Sequence, residues 1–235
     1  MKAIIFCGGG GTRLRPLTYK LPKPMVPLQG RTVLEHLFDL FKKYGIRDII
    51  LTTCYLKEKM RDYFGDGKKF GMNIEYVEEK DLLGTANHIS LASKYLKETF
   101  FVSNGDELKD IDLDNMLKKH RQTKAIVTLA LREVPDPSHY GVVKLGGDKI
   151  LEFVEKPKKE EAPSNFISAG FYIMEPKVLD YIPKSYAMLE KEVFPKLAKE
   201  GKLYGYKFKG QWFDTGTFER YEEAKKNWKG VSSKK

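Results

Sequence analysis

The chain has 235 residues, 41% of them hydrophobic, which suits a packed core in one large domain. Its 42 basic and 32 acidic residues leave a net charge of +10, so anionic partners such as nucleotides and sugar phosphates are favoured. Two cysteines, Cys7 and Cys54, exclude a disulfide framework, and no apolar run approaches the ~18 residues of a membrane helix; a reduced, cytoplasmic setting away from membranes is expected.

In chain order, residues 2–7 read as a buried strand that runs straight into Gly8-Gly9-Gly10-Gly11-Thr12-Arg13. Pro16, Pro22, Pro24 and Pro27 follow. Each fixes φ and lacks the amide a helix interior needs, so an ordered basic loop carrying Arg13, Arg15, Lys20 and Lys23 takes the place of a helix. Glycines let backbone amides approach an anion closely, and the stretch reads as a polyphosphate cradle with cationic walls. It is not the dinucleotide fingerprint, because Arg13 stands where the third glycine belongs. Nor is it a P-loop, because no Gly-Lys-Ser/Thr closes it.

Thr32 and Glu35 have capping-box spacing, and Val33, Leu34, Leu37, Phe38 and Phe41 recur at helical intervals until Gly45. Residues 49–54 read as a buried strand, 57–64 as a helix, 73–78 as a strand and 85–96 as a helix. A short strand over 100–102 delivers Asn104-Gly105-Asp106 at its carboxyl end. This alternation predicts an α/β fold, a Rossmann-like, mostly parallel mixed sheet flanked by helices. Ligands of such sheets bind beyond the carboxyl ends of the strands, where both the glycine loop and Asp106 fall.

The second half is less regular. Strands are expected over 125–133, 140–145 and 149–155, with Gly146-Gly147 as a tight turn, and over 169–174 and 202–208. Residues 156–163 form a charged, proline-bounded loop. Helices are expected over 188–199 and 217–227, the latter after Trp212-Phe213-Asp214. His36 and His88 read as ordinary helix residues, His120 and His139 as surface ones. Residues 1–230 are thus one domain, with 231–235 a basic tail.

The run Gly8-Gly-Gly-Gly-Thr-Arg-Leu-Arg-Pro-Leu-Thr18, followed by Pro22-Lys-Pro-Met-Val-Pro27, resembles the motif of the sugar-1-phosphate nucleotidyltransferases, the NDP-sugar pyrophosphorylases. Five further segments fit the same family in the same order: Leu83-Gly-Thr-Ala86, Asn104-Gly-Asp106, Tyr140-Gly-Val-Val143, Phe153-Val-Glu-Lys-Pro157 and Trp212-Phe-Asp-Thr-Gly216. The resemblance implies the nucleotide-diphospho-sugar transferase fold and attack of a sugar-1-phosphate on the α-phosphorus of a nucleoside triphosphate. That chemistry rests on positioning and charge neutralisation, with Mg²⁺ bound through one or two carboxylates.

Residue by residue, the resemblance implies a nucleotide cradle of Gly8, Gly9, Gly10, Gly11, Thr12 and Arg13, with Gly84 and Thr85 beside the nucleotide. Arg13 holds the leaving phosphates, Lys23 stabilises the α-phosphate, and Asp106 with Asp214 holds the metal. Gly141, Glu155, Lys156 and Ser168 fall on the sugar-phosphate site. Two features are particular to this chain. Relatives selecting uracil or thymine commonly carry Gln in the base segment 78–86, where this chain has Glu78 and Glu79, acceptor-only groups that suit guanine. Relatives usually carry Asn-Ala-Gly where this chain has Ser168-Ala169-Gly170, so the sugar stays open.

The segments Leu189-Glu-Lys-Glu-Val-Phe-Pro195 and Glu200-Gly-Lys-Leu-Tyr204 resemble mannose-1-phosphate guanylyltransferases. GDP-mannose synthesis therefore leads, with UDP-glucose or dTDP-glucose synthesis next, and a non-catalytic nucleotide-sugar-binding regulatory subunit as another class. Most aromatics fall within predicted strands and helices rather than on a basic face, so nucleic acid is not an expected partner. A homodimer is left open. Many relatives carry a C-terminal β-helix of hexapeptide repeats; no such repeat occurs in these residues, and no attached module is expected.

Overall fold

In a computed structural model, which describes residues 1–79 and 84–233, strand β1 (Ala3–Cys7) opens the chain. Single 3-10 turns at Thr12–Leu14, Leu17–Tyr19 and Lys23–Met25 then replace a helix, as the prolines require. There follow the short hairpin β2 (Pro27–Leu28) and β3 (Arg31–Thr32), helix α1 (Val33–Lys43), β4 (Asp48–Thr53), α2 (Lys57–Phe64), β5 (Asn73–Glu78) and α3 (Thr85–Leu91). Next come β6 (Phe100–Asn104), β7 (Glu107–Lys109), α4 (Leu113–Thr123), β8 (Val127–Glu133), β9 (Gly141–Gly146), β10 (Lys149–Glu155) and β11 (Phe166–Met174). The chain closes with α5 (Phe194–Lys199), β12 (Leu203–Lys207), β13 (Trp212–Asp214) and α6 (Phe218–Asn227). The fold class is mixed α/β, and the chain divides into two units.

The first unit comprises Met1–Leu82, Ser103–Ile111 and Gly210–Lys235. Its strands β5, β4 and β1 lie in that order and all run parallel, with Ile4 opposite Ile50 and Ile49 opposite Ile74. The expected capping box starts α1: the Glu35 amide donates to Thr32 Oγ1 at 3.2 Å, and Glu35 Oε2 accepts from the Thr32 amide at 2.8 Å. A separate apolar cluster joins Leu14 and Val26 from the proline loop to Tyr221 and Ala224 of α6 and to Trp228. Tyr221 also donates its hydroxyl to the Pro27 carbonyl. The last helix therefore pins the loop that follows the first strand.

The second unit comprises Leu83–Val102 and Asp112–Lys209. Its strands run in the order β11-β8-β12-β10-β9, and β9 pairs again with β11 through Val142 and Ile167. Among these, β8 and β12 pair parallel, while β11–β8, β11–β9, β10–β12 and β10–β9 pair antiparallel. The expected α/β class with a mixed sheet is thus found, parallel where β5, β4 and β1 pair and largely antiparallel among β8 to β11.

Several local expectations change. α3 ends at Leu91 and is followed by a 3-10 turn at Ser93–Tyr95. The helix read over 188–199 begins as a π turn, Leu189–Val193, because Pro195 has no amide to give the carbonyl four residues back. β11 starts at Phe166, earlier than expected, because Phe166 and Ile167 pair with Glu133 and Arg132 of β8. His120 is buried rather than on the surface. It shares the inward stripe of α4 with Leu113 and Met116, and its ring nitrogens reach Thr128 Oγ1 at 2.8 Å and Glu175 Oε1 at 3.0 Å. Among the described residues, no helix is long and apolar enough to cross a membrane.

His88, on α3, is buried, and burial disfavours its imidazolium, lowering its pKa from 6.5 to about 4. The unfolded chain thus takes up a proton near pH 6.5 that the folded chain refuses until about pH 4. This contribution to stability is complete above the unfolded value and falls as the pH drops through that window, by about 2 kcal/mol at pH 5. Urea unfolding at pH 7.5 and pH 5 should show His88→Leu losing less stability than wild type by about that amount. Equal losses would contradict the assignment.

Candidate active site

The glycine loop leaves β1 with its backbone bordering open space: a Cβ at Gly9 or Gly10 would meet no atom within 4 Å. Gly8 is buried. Gly11 has φ +60°, and a Cβ there would lie 2.9 Å from Thr18 Cγ2; Thr18 Oγ1 donates to the Gly11 carbonyl at 2.7 Å. Only glycine fits that closure. Thr12 and Arg13 are exposed beyond it, and the Arg13 guanidinium makes no ion pair among the described residues. Lys23, by contrast, is buried, and its ammonium donates to Asp106 Oδ2.

Asp106 is placed by Gly105, whose amide donates to the Phe6 carbonyl at 3.0 Å. A Cβ at Gly105 would lie 2.8 Å from that oxygen and 3.0 Å from Cys7 Sγ, so only glycine lets the turn close against β1. Burial opposes the charge on Asp106, but the Lys23 ammonium, with Lys109 behind it, holds the carboxyl below its ordinary range. Burial, and then Asp106, push the Cys7 thiol up, away from any nucleophilic role.

Asp214 reaches the same place through strand pairing. β13 runs antiparallel to β7, setting Trp212 opposite Lys109, Phe213 opposite Leu108 and Asp214 opposite Glu107. One step further, the Thr215 amide and hydroxyl donate to the Asp106 carbonyl at 3.2 and 2.7 Å. The two aspartates are therefore brought to one end of a single ladder. Asp214 Oδ2 accepts from Arg220 Nη1 of α6 at 2.7 Å, while Thr217, not Asp214, caps that helix.

Beneath the ladder lies a buried ion pair. Lys109, its side chain 0% exposed, stands 3.1 Å from Glu107 Oε2. The same carboxylate accepts from Trp212 Nε1 at 3.0 Å and from Asn104 Nδ2 at 2.7 Å. Burial pushes Glu107 up and Lys109 down, each against the pull of its partner.

The base segment is engaged elsewhere in the first unit. Glu78 is exposed and carries Lys57 and Arg61, each at 2.8 Å; those hydrogen bonds hold it below the ordinary carboxylate range. Glu79 is buried, its amide donating to the Thr53 carbonyl at 2.9 Å. Residues 80–83, including Leu83 of the expected motif, lie outside the described residues, as do 234–235 of the basic tail.

In the second unit, Gly84 has φ +91°, and a Cβ there would overlap the Ala187 carbonyl. Thr85 donates its hydroxyl to Glu190 Oε2 at 2.6 Å and accepts from the Leu189 amide at 2.9 Å. Burial raises Glu190 against that hydrogen bond, and Glu155 adds to the rise.

β9 gathers the four expected sugar-phosphate residues. Gly141 pairs with Glu155 of β10, and a Cβ on it would strike the Phe153 ring at 2.3 Å. Lys156 follows with φ +48°, its amide bonded to the Tyr140 carbonyl at 3.0 Å and its ammonium 3.0 Å from Glu155 Oε1. Ser168 follows Ile167, the residue opposite Val142, and lies where the β11–β8 register shifts. Its hydroxyl oxygen is buried and finds no hydrogen-bond partner among the described residues.

Arg220, Glu107, Lys109 and Glu190 were not legible as site residues from sequence. Each reads as one charge among many, and only the pairing of distant strands and turns gives it a partner.

A nucleotidyl transferase family model matches residues 2–229. A mannose-1-phosphate guanylyltransferase catalytic subunit beta from Danio rerio is 41% identical over 222 residues, 92% of this chain and 61% of that protein. A UTP–glucose-1-phosphate uridylyltransferase from Synechocystis sp. is 39% identical over 241 residues, 95% of this chain and 62% of the relative. This chain thus spans about three-fifths of the length of these relatives. A Bacillus anthracis structure in complex with sucrose, assigned as a glucose-1-phosphate thymidylyltransferase, superposes with a TM-score of 0.90 at 26% identity, covering 100% of this chain and 98% of that one. With the family match running from the glycine loop through Asp106 to Asp214 and beyond α6, the chain belongs to the nucleotidyl transferase family.

Proposed function

We propose that residues 1–230 form a Mg²⁺-dependent sugar-1-phosphate nucleotidyltransferase. The observation that carries this reading is the meeting of Asp106 and Asp214 on one ladder, in the same unit as a glycine loop open to an anion and as Lys23. The donor set fits Mg²⁺. Among the described residues no group of three or more acidic, histidine or cysteine side chains could hold a metal, and Mg²⁺ needs only one or two carboxylates when phosphates complete its shell. Bound there, Mg²⁺ supplies neutralisation of the phosphate oxygens.

The rest is work for this chain. The glycine amides and Arg13 hold the β- and γ-phosphates, the planar guanidinium spanning two oxygens. Lys23 faces the α-phosphate, where negative charge redistributes in the transition state. An oxygen of the sugar-1-phosphate attacks the α-phosphorus; that P–O bond forms as the bond to the β-phosphate oxygen breaks, and pyrophosphate leaves with the electron pair. The nucleophile is already an anion, so no general base is needed. Lys156 grips its phosphate, while Glu155 and the unpartnered Ser168 hydroxyl meet sugar hydroxyls, with Gly141 giving the ring room. Glu78 and Glu79 read the base, although Glu78 also carries Lys57 and Arg61. GDP-mannose is the favoured product, with UDP-glucose or dTDP-glucose as the second reading. Cys7 and Cys54 as reduced thiols fit a reducing, cytoplasmic setting.

Pyrophosphate release across a matrix of nucleoside triphosphates and sugar-1-phosphates tests this. One pairing should turn over with Mg²⁺ and not without it, and Asp106→Asn should cut kcat about a hundredfold or more. Nucleotide-sugar binding without turnover in every pairing would replace the enzyme by a regulatory subunit. Ser168→Asn should change the preference among sugar phosphates more than among nucleotides; equal changes would remove Ser168 from the sugar site. Glu79→Gln should favour uracil or thymine nucleotides over guanine, and an unchanged base preference would remove Glu79 from base recognition.

A further inference from the structure

Three ion pairs of this chain lie around the β7–β13 ladder. Lys23 pairs with Asp106, Arg220 with Asp214 and Lys109 with Glu107. Their cationic side chains are 10%, 23% and 0% exposed, so solvent screens them little. Lys109 also feels Asp106 and Asp214, which makes the six groups one electrostatic cluster.

We propose that Lys23 and Arg220 tie metal uptake to polyphosphate uptake, so that the site accepts a divalent cation only together with a nucleoside triphosphate. The inference rests on the reading of Asp106 and Asp214 as the metal ligands. Each carboxylate that a metal ion needs is already the counter-ion of a protein cation. A dication sharing those carboxylates adds two positive charges beside Lys23 and Arg220, which the same carboxylates already neutralise, and repels both cations. Lys23 cannot answer by swinging into water, because it is buried, and a buried ammonium separated from its ion-pair partner Asp106 is strongly disfavoured. A triphosphate removes both objections. Its oxygens offer Lys23 a new anion, and its charge exceeds that of the dication. Arg220 is then a positioning residue that sets the affinity of Asp214 for the metal.

Mn²⁺ titrated into the full chain, followed by water-proton relaxation enhancement to separate protein-bound from nucleotide-bound ion, tests this without catalysis. Wild type should bind Mn²⁺ alone at least about tenfold more weakly than in the presence of α,β-methylene GTP or α,β-methylene UTP. The decisive arm lacks nucleotide. There Arg220→Met and Lys23→Met should each tighten Mn²⁺ binding about tenfold, while Arg220→Lys, which keeps the charge, should behave as wild type. A residue with a purely structural role would loosen binding when replaced, not tighten it. Unchanged or weaker nucleotide-free binding in both methionine variants overturns the inference, as does wild-type binding that is equally tight with and without nucleotide. If instead Asp106→Asn and Asp214→Asn leave the Mn²⁺ signal with nucleotide unchanged, the underlying metal assignment fails.

Discussion

The pairing of β13 with β7 is the constraint on which the candidate site depends. It sets Asp214 opposite Glu107 and ties Thr215 to Asp106, joining residues more than a hundred positions apart. In an antiparallel pair a one-residue slip turns every side chain to the other face, so the register decides whether the two aspartates share an end. Glu107 and Lys109 hold that register from below. The Glu107 carboxylate accepts from Trp212 of the partner strand, from Asn104 at the end of β6 and from Lys109 on its own strand. A buried ion pair of this kind is weak evidence for stability, since apolar residues of similar volume often do as well. Its value here is that it joins the end of β6, ahead of Asp106, to β13, which carries Asp214.

The same unit holds the glycine loop, whose backbone at Gly9 and Gly10 borders open space. The prolines prevent a helix after β1, and the apolar cluster of Leu14, Val26, Tyr221 and Trp228 replaces the stiffness a helix would have given. Gly11 and Gly105 are needed for different reasons. The first takes a left-handed conformation to close on Thr18, and the second lets a turn approach β1 within hydrogen-bonding distance. The second unit solves a separate problem with antiparallel strands. The register shift at Ser168 interrupts the β11–β8 pairing, the kind of irregularity that re-aims side chains near binding sites.

What could be read in advance was local. The Thr32–Glu35 capping box and the break imposed by the prolines follow from rules a few residues long, whereas the expected Gly146-Gly147 turn falls one residue later because Gly146 pairs with Lys149. What could not be read depends on partners far along the chain. Glu78 looks like an open acceptor until Lys57 and Arg61 arrive from α2. His120 sits three and four residues from apolar neighbours, and its inward direction was decided by Thr128 and Glu175. The π turn before α5 was legible in principle from Pro195, whose missing amide interrupts the ladder at that point.

The central claim is that Asp106 and Asp214 act as one metal-binding pair in a nucleotide-bound protein. Its most direct test is an anomalous difference map from crystals grown with Mn²⁺ and a non-hydrolysable nucleoside triphosphate. The account predicts one strong peak bounded by carboxylate oxygens of both aspartates and by phosphate oxygens. A peak held by the phosphates with neither aspartate among its ligands would contradict it.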